Sequence, residues 1–446
     1  MVKNMQNAND FFFNAVAADA DGAARDFLEA ERRLHSSSAV FTRGALQMLC
    51  VPKILTPQAY RFIQGLSQTV IGILEKVITK YLEDEAYRAL FGFSPQLERL
   101  TALPTGYKVN LPIARLDMFF NEEDRSFKFC EFNADGASAM NEDREIVNAW
   151  RGTKLWSQLQ SRYKISSFEL FDSWVSAFLE IYAGFDGCVA HPRVAIVDFL
   201  ELGTKSEFVV FKEAFERRGV SAVIAEITDL KYRGGVLYDS SGNRIDAVYR
   251  RAVTTECIER LDKIGDLIEA AEARAVCLIG SFRTQVIHNK NIFRILRLPQ
   301  TTAFLTFEEA AFIERHIPRT YKLEQGEFDI DDVLNNKDKW LIKPADRYAS
   351  FGVATGGDYS GADWESKVRS AVGKDYILQE YCAPYKTMNC YFDSLGNIHS
   401  DMYNNLTGMF MYNGRLAGFY SRLMTGLVTT QQDEGRVTCT VIADGE

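Results

Sequence analysis

Residues 115–133 read RLDMFFNEEDRSFKFCEFN. Apolar and polar residues alternate on both sides of the polar middle segment, which is typical of two β-strands joined as a hairpin. Because side chains alternate between the two faces of a strand, Arg115 and Asp117 share one face, and Glu131 and Asn133 share one face. A hairpin that pairs in register therefore brings two carboxylates, an amide and a guanidinium into one patch.

The oxygen atoms of this patch suit a magnesium ion. Carboxylate and amide oxygens are hard donors, and Mg²⁺ takes a few of them and completes its shell with phosphate oxygens and water. A surface hairpin with ordinary solvated charges is the alternative. The ion-binding interpretation is favoured because Ala-Asp-Gly follows Asn133 at once and later segments supply the other parts of a magnesium–nucleotide site.

The composition is that of an ordinary soluble protein of 446 residues, with 47% hydrophobic and 25% charged residues. The formal net charge is -9, and no basic run offsets it, which argues against nucleic acid as a partner. No apolar run reaches the ~18 residues of a membrane span, and no secretory signal is visible. The eight cysteines are scattered, so we expect reduced thiols, no zinc site and a cytoplasmic protein.

The region before the hairpin is predicted to be mainly helical. Apolar residues recur at helical spacing in segments 21–34, 57–81 and 84–90, and again after the hairpin in 148–162 and 168–183. The first of these regions contains no recognisable chemistry.

Several acidic residues follow the hairpin. They are Asp135, Glu142, Asp143 and Glu145. They could attract a cationic amine, but a solvated loop is the favoured interpretation of them.

A β-α-β pattern begins at residue 193. It predicts strands over 193–199, 221–226, 236–238 and 245–251 and a helix over 206–218, which together indicate a small Rossmann-like α/β layer. Arg250 and Arg251 lie at the end of a strand, where open sheets bind their ligands. An ordinary domain core is the favoured interpretation, with a functional role for these arginines as the alternative.

The last third of the chain is predicted to be rich in strands. A helix over 257–273 and a strand over 275–279 lead into it. The further predictions are strands over 339–344, 375–381 and 418–423, a helix over 364–372, a hairpin of 389–393 with 398–403, and a polar tail.

Four short segments of this region, taken with the hairpin, resemble the nucleotide-binding half of the ATP-grasp enzymes. They are Asn289-Lys290, Lys343-Pro344, Gln379-Glu380-Tyr381 and Arg422. In most ATP-grasp enzymes the Mg²⁺-binding residues come after the lysines, whereas here they come first. This order resembles the circularly permuted ATP-grasp group typified by the synthetase domain of glutathionylspermidine synthase, over roughly residues 100–446.

The resemblance implies a mixed α/β (α+β) ATP-grasp fold in circularly permuted order. It implies a helical N-terminal segment in 1–105, the Mg-ligand part of the core in 106–190, a Rossmann-like pre-ATP-grasp domain in 191–285, and the ATP-binding lid and core strands in 286–446.

The resemblance also implies a role for individual residues. Asp117, Glu131 and Asn133 would hold Mg²⁺. Arg115 and Arg422 would stabilise negative charge on the transferring phosphoryl group and on the tetrahedral intermediate. ATP would be bound by Lys290, Lys343, Ser350, Gly352, Gln379, Glu380, Tyr381 and Cys382. A Glu131→Ala substitution is then expected to abolish Mg²⁺-dependent turnover and to leave the fold intact.

Two features depart from the family pattern. The loop that covers the phosphates is usually rich in glycine, but here Gly352 is its one glycine and Arg347 could replace some backbone contacts. In addition, glutathionylspermidine synthase carries an amidase, and we find no Cys/His pair near the N-terminus that would indicate such a hydrolytic site. We therefore do not transfer hydrolysis, glutathione or spermidine from that enzyme to this protein.

The expected activity is an ATP-dependent carboxylate–amine ligase that makes an amide or peptide bond through an acyl phosphate and releases ADP and phosphate. The amine would be an amino acid, a small peptide or a polyamine, and a homodimer is a possible assembly. The alternatives are an ATP-dependent small-molecule kinase and a nucleotide-binding pseudoenzyme that scaffolds a partner.

Overall fold

The computed structural model describes residues 3–41, 44–347, 351–426 and 435–445, with side chains for all of these except 3–7, 40, 41, 44 and 45. The helices are α1 Lys3–Ala18, α2 Ala20–His35, α3 Pro57–Glu83, α4 Glu85–Ala89, α5 Pro95–Thr101, α6 Met140–Trp150, α7 Lys154–Arg162, α8 Phe171–Ala183, α9 Lys205–Arg217, α10 Thr254–Glu259, α11 Gly265–Glu272, α12 Gln285–His288, α13 Ile292–Arg297, α14 Pro299–Thr302, α15 Phe307–His316, α16 Ile330–Asn335 and α17 Gly361–Ala371.

The strands form six separate sheets in the described ranges. They are β1 Val40–Phe41, β2 Gly44–Ala45, β3 Lys53–Leu55, β4 Ile113–Phe120, β5 Phe127–Asn133, β6 Lys164–Ser166, β7 Arg193–Asp198, β8 Ser221–Glu226, β9 Lys231–Arg233, β10 Val236–Tyr238, β11 Arg244–Ile245, β12 Ala247–Arg250, β13 Cys277–Ile279, β14 Thr320–Lys322, β15 Trp340–Pro344, β16 Ala354–Thr355, β17 Tyr376–Glu380, β18 Lys386–Phe392, β19 Ile398–Tyr412, β20 Arg415–Met424, β21 Arg436–Thr438 and β22 Thr440–Asp444.

The central sheet is antiparallel and has the strand order β21-β20-β19-β4-β5, with β18 also paired to β19. The predicted hairpin is confirmed as β4 and β5, and Asp117 lies opposite Glu131 and Arg115 opposite Asn133. Ala114, Leu116, Met118 and Phe120 of β4 share one apolar core with α3. The alternation of the strand therefore leaves Arg115 and Asp117 on the opposite face.

Helix α3 covers one face of the central sheet. It begins where the sequence indicates, because Pro57 occupies its first turn and the Thr56 side chain accepts a hydrogen bond from the Ala59 N–H. Buried side chains along its length, such as Leu74, join those of β4, β5 and β19 in one apolar core. With this face filled, the opposite face is left for the polar side chains of the hairpin.

Two further sheets flank the polar face. A parallel sheet of order β13-β12-β7-β8 follows the predicted β-α-β pattern. An antiparallel sheet of order β14-β17-β15-β16, here called the lid sheet, carries the 340–344 and 376–380 strands.

Three predictions of secondary structure are wrong. The helix predicted over 148–162 is two helices, because Gly152 adopts a left-handed φ of 83° between α6 and α7. The helix predicted over 257–273 is broken between α10 and α11, where Arg260 and Ile264 leave helical geometry. The polar tail contains β21 and β22, and β22 is the middle strand of a sheet with β3 and β6.

Within the described ranges, no helix has both the length and the apolar character that crossing a bilayer requires.

Candidate active-site cleft

A cleft of about 400 Å³ opens between the polar face of the central sheet, the lid sheet and one end of the parallel sheet. Residues from every motif that the sequence singled out line it. They are Arg115, Asp117, Glu131, Asn133, Lys290, Lys343, Gln379, Glu380, Tyr381, Cys382 and Arg422. These segments are far apart in sequence, and the fold brings them to one place.

Arg115 and Asp117 form a two-pronged ion pair on β4. The Nε and Nη2 atoms of Arg115 lie 2.8 and 3.0 Å from the two carboxylate oxygens of Asp117. Asn133 donates a further hydrogen bond from Nδ2 to Asp117 Oδ2 at 3.0 Å. Burial raises the pKa of Asp117 and the Arg115 charge lowers it, with burial prevailing. Arg115 therefore holds a buried carboxylate in a fixed orientation.

Glu131 and Lys290 form the second ion pair of the cleft, with 2.9 Å between Lys290 Nζ and Glu131 Oε1. Burial acts to raise the pKa of Glu131, but the charges of Lys290 and Lys343 outweigh it and hold the pKa at about 2. Glu131 is therefore a carboxylate at any neutral pH, and it can offer its oxygens to a cation.

Lys343 is buried on β15 and faces the hairpin across the cleft. Its Nζ donates to the Cys130 carbonyl at 2.9 Å and lies 5.7 Å from the centre of the Phe293 ring. Burial lowers the pKa of this ammonium to about 8, against the opposing effect of Glu131. A buried ammonium with one neutral acceptor is held ready for an anion that enters the cleft.

Asp117, Glu131 and Asn133 fit the magnesium prediction by the chemistry of their donors. All three are oxygen donors on one face of a paired hairpin and line the same cleft. No group of three or more His, Cys, Asp and Glu that could hold a metal occurs in the ranges described, so the amide of Asn133 is the third donor here. Both carboxylates are ion-paired, and their oxygens would be shared between the protein cations and the metal.

The segment from Gln379 to Cys382 lines the lid side of the cleft. Gln379 donates from Nε2 to Thr320 Oγ1 at 2.9 Å, and the Tyr381 N–H donates to the Lys339 carbonyl at 2.7 Å. Burial acts to raise the pKa of Glu380, but hydrogen bonding and charge from Arg319 lower it overall. These bonds fix the strand end at the rim of the cleft.

The loop after β15 is only partly described, and Ser350 lies outside the described residues. Gly352 has a φ of 75°, and a Cβ there would lie 2.9 Å from atoms of both Pro344 and Tyr376. Glycine is required at this turn for its backbone conformation. Gly352 itself does not line the cleft, whereas Arg347, Phe351 and Val353 of the same loop do.

Arg422 lies on β20, opposite Leu406 of β19, and lines the cleft on the same side as Arg115. Tyr420, two residues earlier on the same face of β20, lies under the guanidinium of Arg115, with 5.0 Å between Arg115 Cζ and the ring centre. The two predicted arginines therefore belong to adjoining parts of one wall.

The loop 134–139 joins the hairpin to α6, and the expectation that its acidic neighbourhood is a solvated loop is wrong. Asp135 is 4% exposed and pairs with Arg250 at 2.6 Å. Asp143 is also buried and accepts the Thr440 N–H at 2.8 Å. Burial of these carboxylates needed partners that are remote in sequence, which periodicity cannot reveal.

Arg250 and Arg251 anchor this loop from the parallel sheet. Arg251 donates to the Ala137 carbonyl and pairs with Glu207 at 2.8 Å, and Glu207 in turn accepts the Met140 N–H at 2.9 Å. Ser138, in the same loop, accepts a hydrogen bond from Arg115 at 2.9 Å. Arg250 and Arg251 therefore hold in place the loop that follows Asn133. This positioning role corresponds to the alternative interpretation of the two arginines.

Sequence reasoning missed other cleft residues. They are His288, Asp198, Glu142 as a lining residue, Tyr420 and Phe351. Asp198 ends a strand of the parallel sheet, so its position at the carboxyl end was a signal that could have identified it. The others carry no local signal: His288, Glu142 and Tyr420 lie in helices and a strand whose pattern is that of ordinary core, and Phe351 lies in an exposed turn.

No protein-family model and no curated protein sequence matches this chain. Among solved structures, a glutathione synthetase-like effector from Globodera pallida in its apo form is similar over 93% of this chain and 96% of its own, with 12% identity and a TM-score of 0.59. A D-cycloserine synthetase aligns over 57% of this chain and 75% of its own, with 14% identity and a TM-score of 0.30. A D-alanyl-alanine synthetase A from Vibrio cholerae aligns over 57% and 88%, with 10% identity and a TM-score of 0.28.

The likeness to the effector, which extends over nearly the whole of both chains, establishes the fold. The chain shares the mixed α/β fold of this glutathione synthetase-like effector. The predicted mixed α/β class is thereby confirmed.

Proposed function

We propose that this protein is an ATP-dependent carboxylate–amine ligase that forms an amide or peptide bond through an acyl phosphate. One observation carries the proposal: two buried lysines, a hairpin with three oxygen donors and two arginines, from four separate segments, line one cleft. Phosphoryl transfer needs charge neutralisation and positioning more than covalent help from the protein, and this arrangement supplies both.

The proposed mechanism follows from the positions of these side chains. Lys290 and Lys343 would meet the phosphates of ATP, and the segment from Gln379 to Cys382 would contact the adenine. Asp117, Glu131 and Asn133 would hold Mg²⁺, which neutralises phosphate charge when it is bound. Ser350 and Gly352 keep their proposed place in the phosphate-covering loop.

In this proposal, Arg115 and Arg422 orient the carboxylate substrate and the transferred phosphoryl group. A guanidinium fork matches two oxygens of an oxyanion, and Arg115 already holds one carboxylate in that manner. The acyl phosphate that results is attacked by an amine, and phosphate leaves. The motif order supports the circularly permuted arrangement as part of the proposal, with the parallel sheet as the Rossmann-like domain.

The test is trapping of the acyl phosphate by hydroxylamine. The protein is incubated with ATP, Mg²⁺, hydroxylamine and, one at a time, the proteinogenic amino acids and their dipeptides. ADP and hydroxamate are then measured. We expect both products in equal amounts with at least one carboxylate, and neither without Mg²⁺. ADP without hydroxamate would favour a kinase, and binding of ATP without any ADP formation would favour a scaffold.

Glu131→Gln is the variant for this assay, with Glu123→Gln in the exposed hairpin turn as its control. The earlier expectation that Glu131→Ala leaves the fold intact does not suit this geometry, because it leaves Lys290 buried without its carboxylate. Glutamine keeps an oxygen for Lys290 and removes the charge. We expect Glu131→Gln to lose both products while its thermal unfolding stays cooperative, and Glu123→Gln to keep both.

A further inference from the structure

Glu142 is a carboxyl that neither the ion pairs of the cleft nor the proposed mechanism uses. It is on the first turn of α6, is 7% exposed and lines the cleft. Its Oε2 atom has no hydrogen-bond partner in the described part of the chain. Leaving a buried carboxyl oxygen without a partner is costly, so this group is set up to interact with something that enters the cleft.

The surroundings of Glu142 place it beside the proposed reaction centre. The positive charges of Arg115 and Arg422 lower the pKa of the Glu142 carboxyl, and so does a hydrogen bond that Tyr420 donates to it. The guanidinium of Arg115 lies over the Tyr420 ring. Arg115 also donates two hydrogen bonds to Asp117, a proposed metal ligand. Glu142 and the two arginines that would hold the transferred phosphoryl group therefore line the same cleft.

The protonation of Glu142 is set by groups on three packed elements and by burial. Burial is the largest influence and raises its pKa, and Glu207 on α9 raises it further. Arg115 on β4 and Tyr420 and Arg422 on β20 lower it. The resulting pKa is about 7. A carboxyl with a pKa near the working pH is in the best range for taking up and releasing a proton.

We propose that Glu142 is the general base that accepts the proton of the attacking amine. This inference rests on the proposed function and adds a residue and a step to it. The amine nitrogen attacks the carbonyl carbon of the acyl phosphate, and a C–N bond forms. The N–H proton passes to Glu142, the C–O bond to phosphate breaks, and phosphate leaves with the electron pair. Glu142 then returns the proton to solvent or to phosphate.

The test compares two nucleophiles in Glu142→Gln. Glutamine has the shape of the protonated carboxyl but cannot accept a proton. The carboxylate identified by hydroxamate formation is used, first with hydroxylamine and then with methylamine, because hydroxylamine is a weak base that attacks with little help. General-base assistance contributes about 100-fold or more, so we expect methylamide formation to fall by that factor while hydroxamate formation falls much less.

The matched control is Asp143→Asn, the neighbouring buried carboxyl on α6. Asp143 binds the Thr440 N–H and does not line the cleft, so the ratio of the two products should stay at its wild-type value. In the wild type, methylamide formation, expressed per concentration of unprotonated methylamine, should rise with pH through the region near 7, and Glu142→Gln should lose that rise.

An equal fall of both products in Glu142→Gln would overturn the inference, because it would indicate a binding or structural role. An unchanged methylamide rate would overturn it as well. If the wild type forms no hydroxamate with any carboxylate, the proposed function fails, and the role of Glu142 fails with it. The first two results leave the ligase proposal standing, so the two failures are distinguishable.

Discussion

Lys343 shows how a single side chain of the cleft is kept at a cost to stability. Burial lowers the pKa of its ammonium from 10.5 to about 8. The unfolded chain keeps the proton up to its ordinary pKa, whereas the folded chain releases it near pH 8. The unfolded state therefore binds more protons between these values, and stability rises with pH in this window. Below pH 8 the full cost of the buried charge is present.

Lys343→Met should consequently stabilise the protein and impair its proposed function. We expect the free energy of unfolding at neutral pH to increase by roughly 1 to 3 kcal/mol, because each unit of pKa shift corresponds to about 1.4 kcal/mol and some of the gain is lost with the bond to Cys130. Affinity for ATP should fall roughly 10- to 100-fold, the value of one hydrogen bond to a charged group.

Urea unfolding and calorimetric titration with a non-hydrolysable ATP analogue and Mg²⁺ measure the two effects of Lys343→Met. Lys374→Met is the control, since Lys374 is exposed on the lid-sheet side of the chain and should change neither quantity. A Lys343→Met protein that is less stable and binds the analogue as well as the wild type would contradict both parts of the prediction.

At the scale of elements, the loop 134–139 depends on anchors from another sheet. Ala139 at the start of α6 has a left-handed φ of 79°, a conformation that costs an alanine about 1 to 2 kcal/mol. The bonds from Arg251 to Ala137 and from Met140 to Glu207 lie on either side of it. The parallel sheet thus stabilises a strained loop beside the proposed metal ligands.

The variant Arg250→Met tests this anchoring, and Arg260→Met is its matched control. Both arginines lie over a phenylalanine ring, at 4.4 and 4.5 Å, and both pair with a carboxylate. Arg250 and Asp135 are fully buried, whereas the Arg260 pair is exposed. We expect Arg250→Met to cost about 3 to 5 kcal/mol, because it leaves a buried charge without its partner. Arg260→Met should cost far less, because an exposed ion pair is screened by water.

Urea unfolding of the two variants gives these costs directly. Equal losses in Arg250→Met and Arg260→Met would show that burial of the Asp135 pair is not what holds the loop. Addition of Asp135→Asn to Arg250→Met should recover part of the loss, because the double variant no longer buries the unpaired charge.

At the scale of the whole molecule, three buried carboxyls set the dependence of stability on pH. Burial is the main cause in each case and raises the pKa of Asp143 to about 8 and those of Asp198 and Glu142 to about 7. The unfolded chain releases these protons near its ordinary values of 3.8 and 4.5, so at neutral pH the folded state binds more protons. Stability must then fall as pH rises toward 8.

We expect the wild type to be more stable at pH 6.5 than at pH 8. Each carboxyl contributes up to about 1.4 kcal/mol per pH unit while it titrates. Asp143→Asn removes one contribution and should flatten the dependence. Below pH 6.5 the lowered pKa of the half-buried His316 acts in the opposite direction, so the measurement belongs above that value. An unchanged slope in Asp143→Asn would contradict the prediction.

Local patterns predicted several elements of the fold closely. Strand β8 runs over Ser221–Glu226 as predicted, and α2, α3 and the hairpin differ from their predictions by few residues. In each case a cap, a glycine or strict alternation marks the boundary within the segment itself. The helix predicted over 257–273 failed because its apolar spacing continues through the break near Gly265.

The sequence by itself determined that the polar side chains of β4 and β5 share a face, because alternation along a strand is a local property. It also showed that Lys343 lies in an apolar strand, whereas the roles of Lys290, Arg115 and Arg422 were predicted from the family resemblance. Only the tertiary structure decided that one carboxyl oxygen of Glu142, Oε2, has no hydrogen-bond partner among the described residues. It also decided that Glu131 meets Lys290 and that Arg250 buries Asp135. These are pairings between distant segments, and their energy comes from burial, which no single segment of the chain encodes.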